Sequence, residues 1–240
     1  MNNKAGIRDW SRAGVSIIVS TKRPHHFNNI LKNYSRQRYR LKELIIILHK
    51  NNINLEHYRK KAQRYHQVSV YQMSEKYRLG RCLNYGISKS RYPVIAKFDD
   101  DDYYSPYYLS EQVKALYRKK TDVVGKRAYY VYLKPTKKLI IRFPKQRKQF
   151  VKFVTGGTLL FKKKLKVRFS PQASLGEDIN FLEKCRKRGY KIYSTTPYNY
   201  VYLRRNNRSH SWKTSMKYLM KGSKFIKKTA HYRKMTTRKV

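Results

Sequence analysis

The stretch Tyr92-Pro93-Val94-Ile95-Ala96-Lys97-Phe98 runs directly into Asp99-Asp100-Asp101-Asp102. A short, mostly apolar run without alternation reads as a strand buried on both faces. Four consecutive carboxylates at its end repel one another unless a cation lies close by. Extended backbone puts alternate side chains on one face, so Asp99 and Asp101 are expected to project together. Clustered hard oxygens suit Mg²⁺ or Mn²⁺, usually held by one or two carboxylates and completed by substrate phosphates. The alternative is a solvated acidic turn. With only 13 Asp and Glu in the chain, such a turn would hold nearly a third of all acids, so the cation reading is preferred.

The sequence before this stretch alternates strands and helices. Val15 to Val19 reads as a buried strand ending at Ser20-Thr21-Lys22-Arg23. Pro24 opens a helix with Phe27, Ile30, Leu31 and Tyr34 on one face. Glu43 to Leu48 is a second apolar strand, followed by His49-Lys50-Asn51-Asn52. A basic helix is expected from Leu55 to Tyr65 and a third strand from Val68 to Tyr71. Leu79, Cys82, Leu83, Gly86 and Ile87 form a helical stripe leading into the opening strand; Pro106 starts another through Leu109, Val113 and Leu116. This order predicts an α/β fold, a mostly parallel sheet with helices on both faces. Ligands of such sheets bind outside the carboxyl ends of the strands. Thr21 to Arg23, His49 to Asn52 and Asp99 to Asp102 all fall on that rim.

The second half changes character. Ala128 to Leu133 and Lys138 to Phe143 predict a hairpin through Lys134-Pro135-Thr136-Lys137. Thr155 to Phe161 reads as a strand whose Gly156 and Gly157 permit a close backbone approach. Ser174-Leu175-Gly176-Glu177 matches a capping box before a helix with Ile179, Leu182 and Cys185 on one side. Asp178 is not needed for capping, and a carboxylate at a helix start near the rim could act as a general base. Strands follow at Lys191 to Ser194 and Tyr200 to Leu203, and residues 213–240 read as a basic helix and tail.

Composition narrows the classes. Hydrophobic residues make up 40% and aromatics 14% of 240 residues, a globular composition. The net charge of +45 points to polyanionic partners: nucleic acid, anionic lipid or anionic polymer. Cys82 and Cys185 make neither a disulfide framework nor a zinc site. The apolar run Val15 to Val19 is too short for a signal-peptide core or a membrane span. The expected location is cytoplasmic, or peripheral to a membrane.

In order and spacing, several motifs resemble the family-two nucleotide-sugar glycosyltransferases of GT-A fold. They are the opening strand Val15 to Pro24, Leu79 to Ile87 with Gly80 and Asn84, Phe98 to Tyr104 with its Asp-x-Asp, Gly156-Gly157-Thr158, and Gly176-Glu177-Asp178. The nearest likeness within the family is to spore-maturation glycosyltransferases of bacilli. The resemblance spans about residues 14–205. It implies a Rossmann-like sheet with a small antiparallel acceptor-side β region, one domain over 1–212 (nucleotide half 14–125, acceptor half 126–212) and a basic helical tail at 213–240. It also implies an inverting, metal-dependent transfer, of hexosyltransferase type, from a nucleoside-diphosphate sugar to a hydroxyl on a carbohydrate or glycopolymer. Asp178 would be the base. Thr21, Arg23, Arg81, Asn84, Asp99 and Asp100 would bind the donor, and Asp101 and His210 the Mn²⁺ or Mg²⁺. Gly156, Gly157 and Glu177 would lie on the acceptor side. The chain departs from the family in lacking an Asp after the second strand, where Asn51 could instead meet a pyrimidine edge.

Two other functions compete. One is a non-catalytic polyanion- or nucleic-acid-binding module built on interleaved Tyr and Arg. It has no recognition motif, and a phosphate-binding surface would not gather four aspartates. The other is a nucleotidyl- or phosphotransferase, against which the absence of a GxxxxGK loop argues. The excess charge would place Lys213 to Lys239 on an anionic polymer or membrane carrying the acceptor.

Overall fold

The computed structural model describes residues 10–173, 176–205 and 215–240. In chain order the elements are β1 (Val15–Thr21), α1 (Phe27–Ser35), β2 (Lys42–His49), α2 (Leu55–Gln63), β3 (Val68–Met73), α3 (Leu79–Lys89), β4 (Val94–Lys97) and β5 (Tyr103–Tyr104). Next come α4 (Tyr108–Arg118), β6 (Val123–Gly125), β7 (Tyr129–Leu133), β8 (Lys138–Arg142), β9 (Gln149–Phe150) and β10 (Leu160–Lys162). The chain continues through α5 (Glu177–Lys187), β11 (Ile192–Ser194), β12 (Tyr200–Arg204), α6 (Met216–Met220), β13 (Ser223–Lys228) and α7 (Tyr232–Thr236).

Eight strands form the main sheet, ordered β3-β2-β1-β4-β10-β6-β11-β9. The first four are mutually parallel, as their continuous Val, Ile and Leu runs predict. The chain leaves β1 to one side for β2 and β3, then returns to the other side for β4. That reversal opens a crevice at the carboxyl ends of β1 and β4, where Thr21 and the four aspartates emerge. β10 lies antiparallel to β4, with Leu160 opposite Ala96. An antiparallel neighbour starts where its partner ends, so Gly156 and Gly157, just before β10, arrive beside Asp99.

Alternation divides the core between the two faces. On one face Ile17, Val94 and Ala96 pack with α1 and α4 residues such as Leu31, Leu109 and Val113. On the other, Ile18 and Ile95 pack with Leu83 of α3 and with Phe181 and Leu182 of α5.

The second half differs from expectation in three places. Gly156–Thr158 is a single 3-10 turn, so the strand begins at Leu160. The smaller sheet, ordered β13-β8-β7-β12-β5, contains the predicted β7–β8 hairpin, but β7 and β12 pair in parallel. The expected helical tail is not one helix: β13 pairs antiparallel with β8, and α7 buries Tyr232 against Tyr132. The adjacent Phe225 and Ile226 among lysines suit an edge strand as well as a basic helix, and pairing with β8 selects the strand. No described helix is long and apolar enough to cross a membrane.

Candidate active site

The site starts from Lys97, a residue the sequence reading did not assign. It closes β4, is 4% exposed, and shares the Ile95 face with Asp99 by strand alternation. That is the face on which α5 packs. Lys97 Nζ therefore donates to Asp99 Oδ1 at 2.8 Å and to Asp178 Oδ2 at 3.2 Å, joining carboxylates 79 residues apart in the chain. Asp178 Oδ1 is buried and lacks a hydrogen-bond partner.

The two glycines make room for both acids. A Cβ at Gly156 would stand 1.8 Å from Asp178 Oδ2, and one at Gly157 would stand 2.5 Å from Asp99 Oδ2. Tyr104 fixes the floor, donating from its hydroxyl to the Gly157 carbonyl at 2.6 Å and accepting from the Asp99 amide at 2.7 Å. Helix α5 begins differently from the expected capping box. Gly176, in the left-handed region at φ 79°, is the N-cap, and Ser174 lies outside the described residues. Glu177 is buried at the first helical position.

The four aspartates do not face one way. Residues 100–101 form a turn rather than extended strand, which separates Asp99 from Asp101. Asp100 is buried and receives Thr21 and Arg23, with Arg23 Nε donating at 3.2 Å. Asp101 pairs with Arg23 at 2.9 Å and with Arg205 at 3.5 Å. Asp102 is structural: it accepts from the Tyr200 hydroxyl at 2.5 Å and from the Leu203 amide at 3.0 Å.

Burial dominates the titration of these groups. It pushes Asp178 up to about 7, with Lys97 opposing and Glu177 and Asp99 adding to it. It pushes Asp100 up to about 6, reinforced by Asp101 and opposed by Arg23. For Lys97, burial disfavours the charge, but Asp178, Asp99 and Glu177 outweigh it and raise the ammonium above its ordinary range.

Among the described residues no three His, Cys, Asp or Glu side chains converge to hold a metal ion. A carboxylate such as Asp101 is the donor type that a hard divalent cation takes when substrate phosphates complete its shell, and here its Oδ2 is paired with Arg23 and Arg205. His210 lies outside the described residues.

At the start of α3, Lys76, Tyr77, Arg78, Arg81, Pro171 and Gln172 line a cavity of about 360 Å³. Arg81 stacks 4.1 Å over the Tyr77 ring centroid. Asn84 does not face this cavity as a ligand contact. Its amide pairs with both backbone groups of Phe169, at 2.9 and 3.0 Å, and so secures the wall on which Pro171 and Gln172 stand. Asn51 accepts from the Glu75 amide at 3.2 Å and borders the turn leading to Lys76. Arg205, like Lys97, was missed. A lysine inside an otherwise apolar strand was a visible signal for Lys97, whereas Arg205 is one of many arginines.

The family described as Glycosyl transferase family 2 matches residues 16–175. Among solved structures, TarS residues 1–349 from S. aureus in complex with UDP-GlcNAc is similar, with a TM-score of 0.65, 15% identity, and 85% of this chain and 62% of that one covered. The mannosyltransferase PcManGT from Pyrobaculum calidifontis in complex with GDP-Man and Mn²⁺ has a TM-score of 0.62 at 16% identity, covering 80% of this chain and 57% of that one. The chain thus spans less than two thirds of the length of these proteins. No curated protein matches the sequence.

Proposed function

The chain belongs to glycosyl transferase family 2 and has the GT-A fold, and from that premise we propose an inverting sugar transfer from a nucleoside-diphosphate sugar to an acceptor hydroxyl. The observation that carries this reading is Asp178, with one oxygen held by Lys97 and the other buried and unpartnered beside the aspartate turn. Asp178 Oδ1 takes the hydroxyl proton as the acceptor oxygen bonds to the anomeric carbon. The bond from that carbon to the diphosphate breaks, and its electron pair departs with the nucleoside diphosphate. Gly156, Gly157 and Glu177 shape the acceptor side.

Thr21, Arg23, Asp99 and Asp100 face the ribose and diphosphate of the donor. The basic cavity at Arg81 takes the base, with Asn51 at its border and Asn84 supporting its wall. The relatives bound to UDP-GlcNAc and GDP-Man support a nucleoside-diphosphate donor without choosing its base. Mn²⁺ or Mg²⁺ would be held by Asp101 and would act as a Lewis acid toward the leaving diphosphate. Residues 14–125 then serve the donor and 126–212 the acceptor, a hydroxyl of a carbohydrate or glycopolymer. The likeness to spore-maturation enzymes would make that a spore-surface glycan. The basic residues of 215–240 bring the enzyme to an anionic surface.

The test is a panel of UDP-, GDP- and dTDP-sugars with Mn²⁺ and carbohydrate acceptors, read as nucleoside diphosphate released. Asp178→Asn should lower kcat by about 10²- to 10⁴-fold while keeping the donor-induced rise in Tm. Asp101→Asn should remove the Mn²⁺-dependent part of that rise. Release of nucleoside monophosphate or pyrophosphate would instead identify a phosphoryl- or nucleotidyltransferase. Neither turnover nor a Tm shift with any donor would reject sugar transfer.

A further inference from the structure

Ten large hydrophobic side chains are exposed among the described residues, and five of them, Met216, Tyr218, Met220, Phe225 and Ile226, lie within residues 216–226, from α6 into β13. Single exposed hydrophobics are ordinary, but such a concentration marks an interaction surface. Gly222, with φ 75°, turns the chain between α6 and β13, and β13 is an edge strand of the smaller sheet. The register of β13 against β8 shifts between Phe225 and Lys227, so Ile226 is an extra residue in the ladder. That bulge breaks alternation and leaves Phe225 (51% exposed) and Ile226 (38%) as consecutive exposed residues. Lys217, Lys221, Lys224, Lys227 and Lys228 are interleaved with the apolar side chains and exposed, and residues 215–240 contain no acid.

We propose that this helix–strand hairpin is a peripheral docking surface for an anionic lipid bilayer, with the apolar side chains entering the headgroup boundary and the lysines meeting lipid phosphates. Two features select a bilayer over other occupants. Met, Ile and Phe side chains find no counterpart on a hydrophilic polyanion, whereas a membrane interface takes an apolar face and a lysine-rich one together. A second copy pairing edge to edge through β13 would bring two rows of lysines into contact, the arrangement by which charged edges resist self-association. The docking surface is independent of the sugar-transfer reading and is tested without turnover.

The experiment is co-sedimentation of the full chain at 0.15 M NaCl with vesicles of phosphatidylcholine alone or with about a third phosphatidylglycerol. The protein should pellet with the anionic vesicles only. Phe225→Ser with Ile226→Ser should weaken that binding about tenfold or more, and Lys224→Gln with Lys227→Gln should weaken it too. Met216→Ser with Met220→Ser, on α6, provides an independent variant should the β13 pair fail to fold. Three results would overturn the proposal. One is no binding to anionic vesicles. A second is vesicle binding unchanged by both serine pairs and matched by soluble polyphosphate, which would mean that charge alone acts. The third is a concentration-dependent dimer that the β13 serine pair abolishes, which would make the surface an interface between copies.

Discussion

Lys97 decides how the site behaves with pH. An isolated ammonium in a buried strand is costly, and here two carboxylates offset that cost. A base must be ionised to accept a proton, so with Asp178, the proposed base, pushed up to about 7, the rate should fall as pH drops below about 7. Lys97 is the cation that opposes this rise; Glu177 and Asp99 add to it. Replacing Lys97 by Met removes the opposing charge, so the acid limb of kcat against pH should move upward by a unit or more, and kcat at pH 7 should fall about fivefold or more. KM for the donor should change less. Lys97→Arg, which keeps the charge, should restore much of the limb's position. If Lys97→Met lowered activity without moving the limb, Lys97 would be a structural support only.

At the scale of elements, α4 is tied to the far side of the sheet by a second buried lysine. Lys126 Nζ donates to Glu111 Oε2 at 2.9 Å, to the Thr195 hydroxyl at 3.1 Å and to the Thr196 carbonyl at 2.7 Å. Glu111 also accepts from the Thr196 amide and from Asn199. Glu111→Ala would leave a fully buried ammonium without its counter-ion and should cost about 3–5 kcal/mol. At 2–4 °C per kcal/mol for a chain of this size, Tm should drop by roughly 6 °C or more; a drop under 2 °C would deny the pair that role. The first half of the fold was legible because its signals are local: the Ile-rich runs at 15–19 and 43–48 fix buried strands, and the stripe at 79–87 fixes α3. The family resemblance singled out Asp178, Gly156 and Gly157, and the fold brings them together with Asp99 and Lys97. What could not be read were distant pairings, such as Lys97 with Asp178 and Arg205 with Asp101. The turn that separates Asp99 from Asp101 was equally hidden, since four identical residues carry no pattern. β13 escaped because a strand stabilised by a neighbouring hairpin has little signature of its own.

Across the whole molecule, the formal charge of +45 sets the conditions for stability. A compact chain of 240 residues has a radius of gyration of about 18 Å. At 0.01 M salt the Debye length is about 30 Å, so nearly every pair of lysines and arginines repels across the fold; at 0.15 M it is about 8 Å and only neighbours do. Unfolding spreads the charges and relieves the repulsion, so low salt favours the unfolded chain. Tm should therefore climb by several degrees as NaCl rises from 10 to 150 mM and level off beyond that. A polyanion such as polyphosphate, which neutralises the folded surface directly, should match that gain at 10 mM NaCl. Differential scanning fluorimetry reads both effects. A Tm flat or falling with salt over that range would mean that the charge is already balanced within the fold, and the excess of lysine and arginine would then carry no thermodynamic demand for a polyanionic surface.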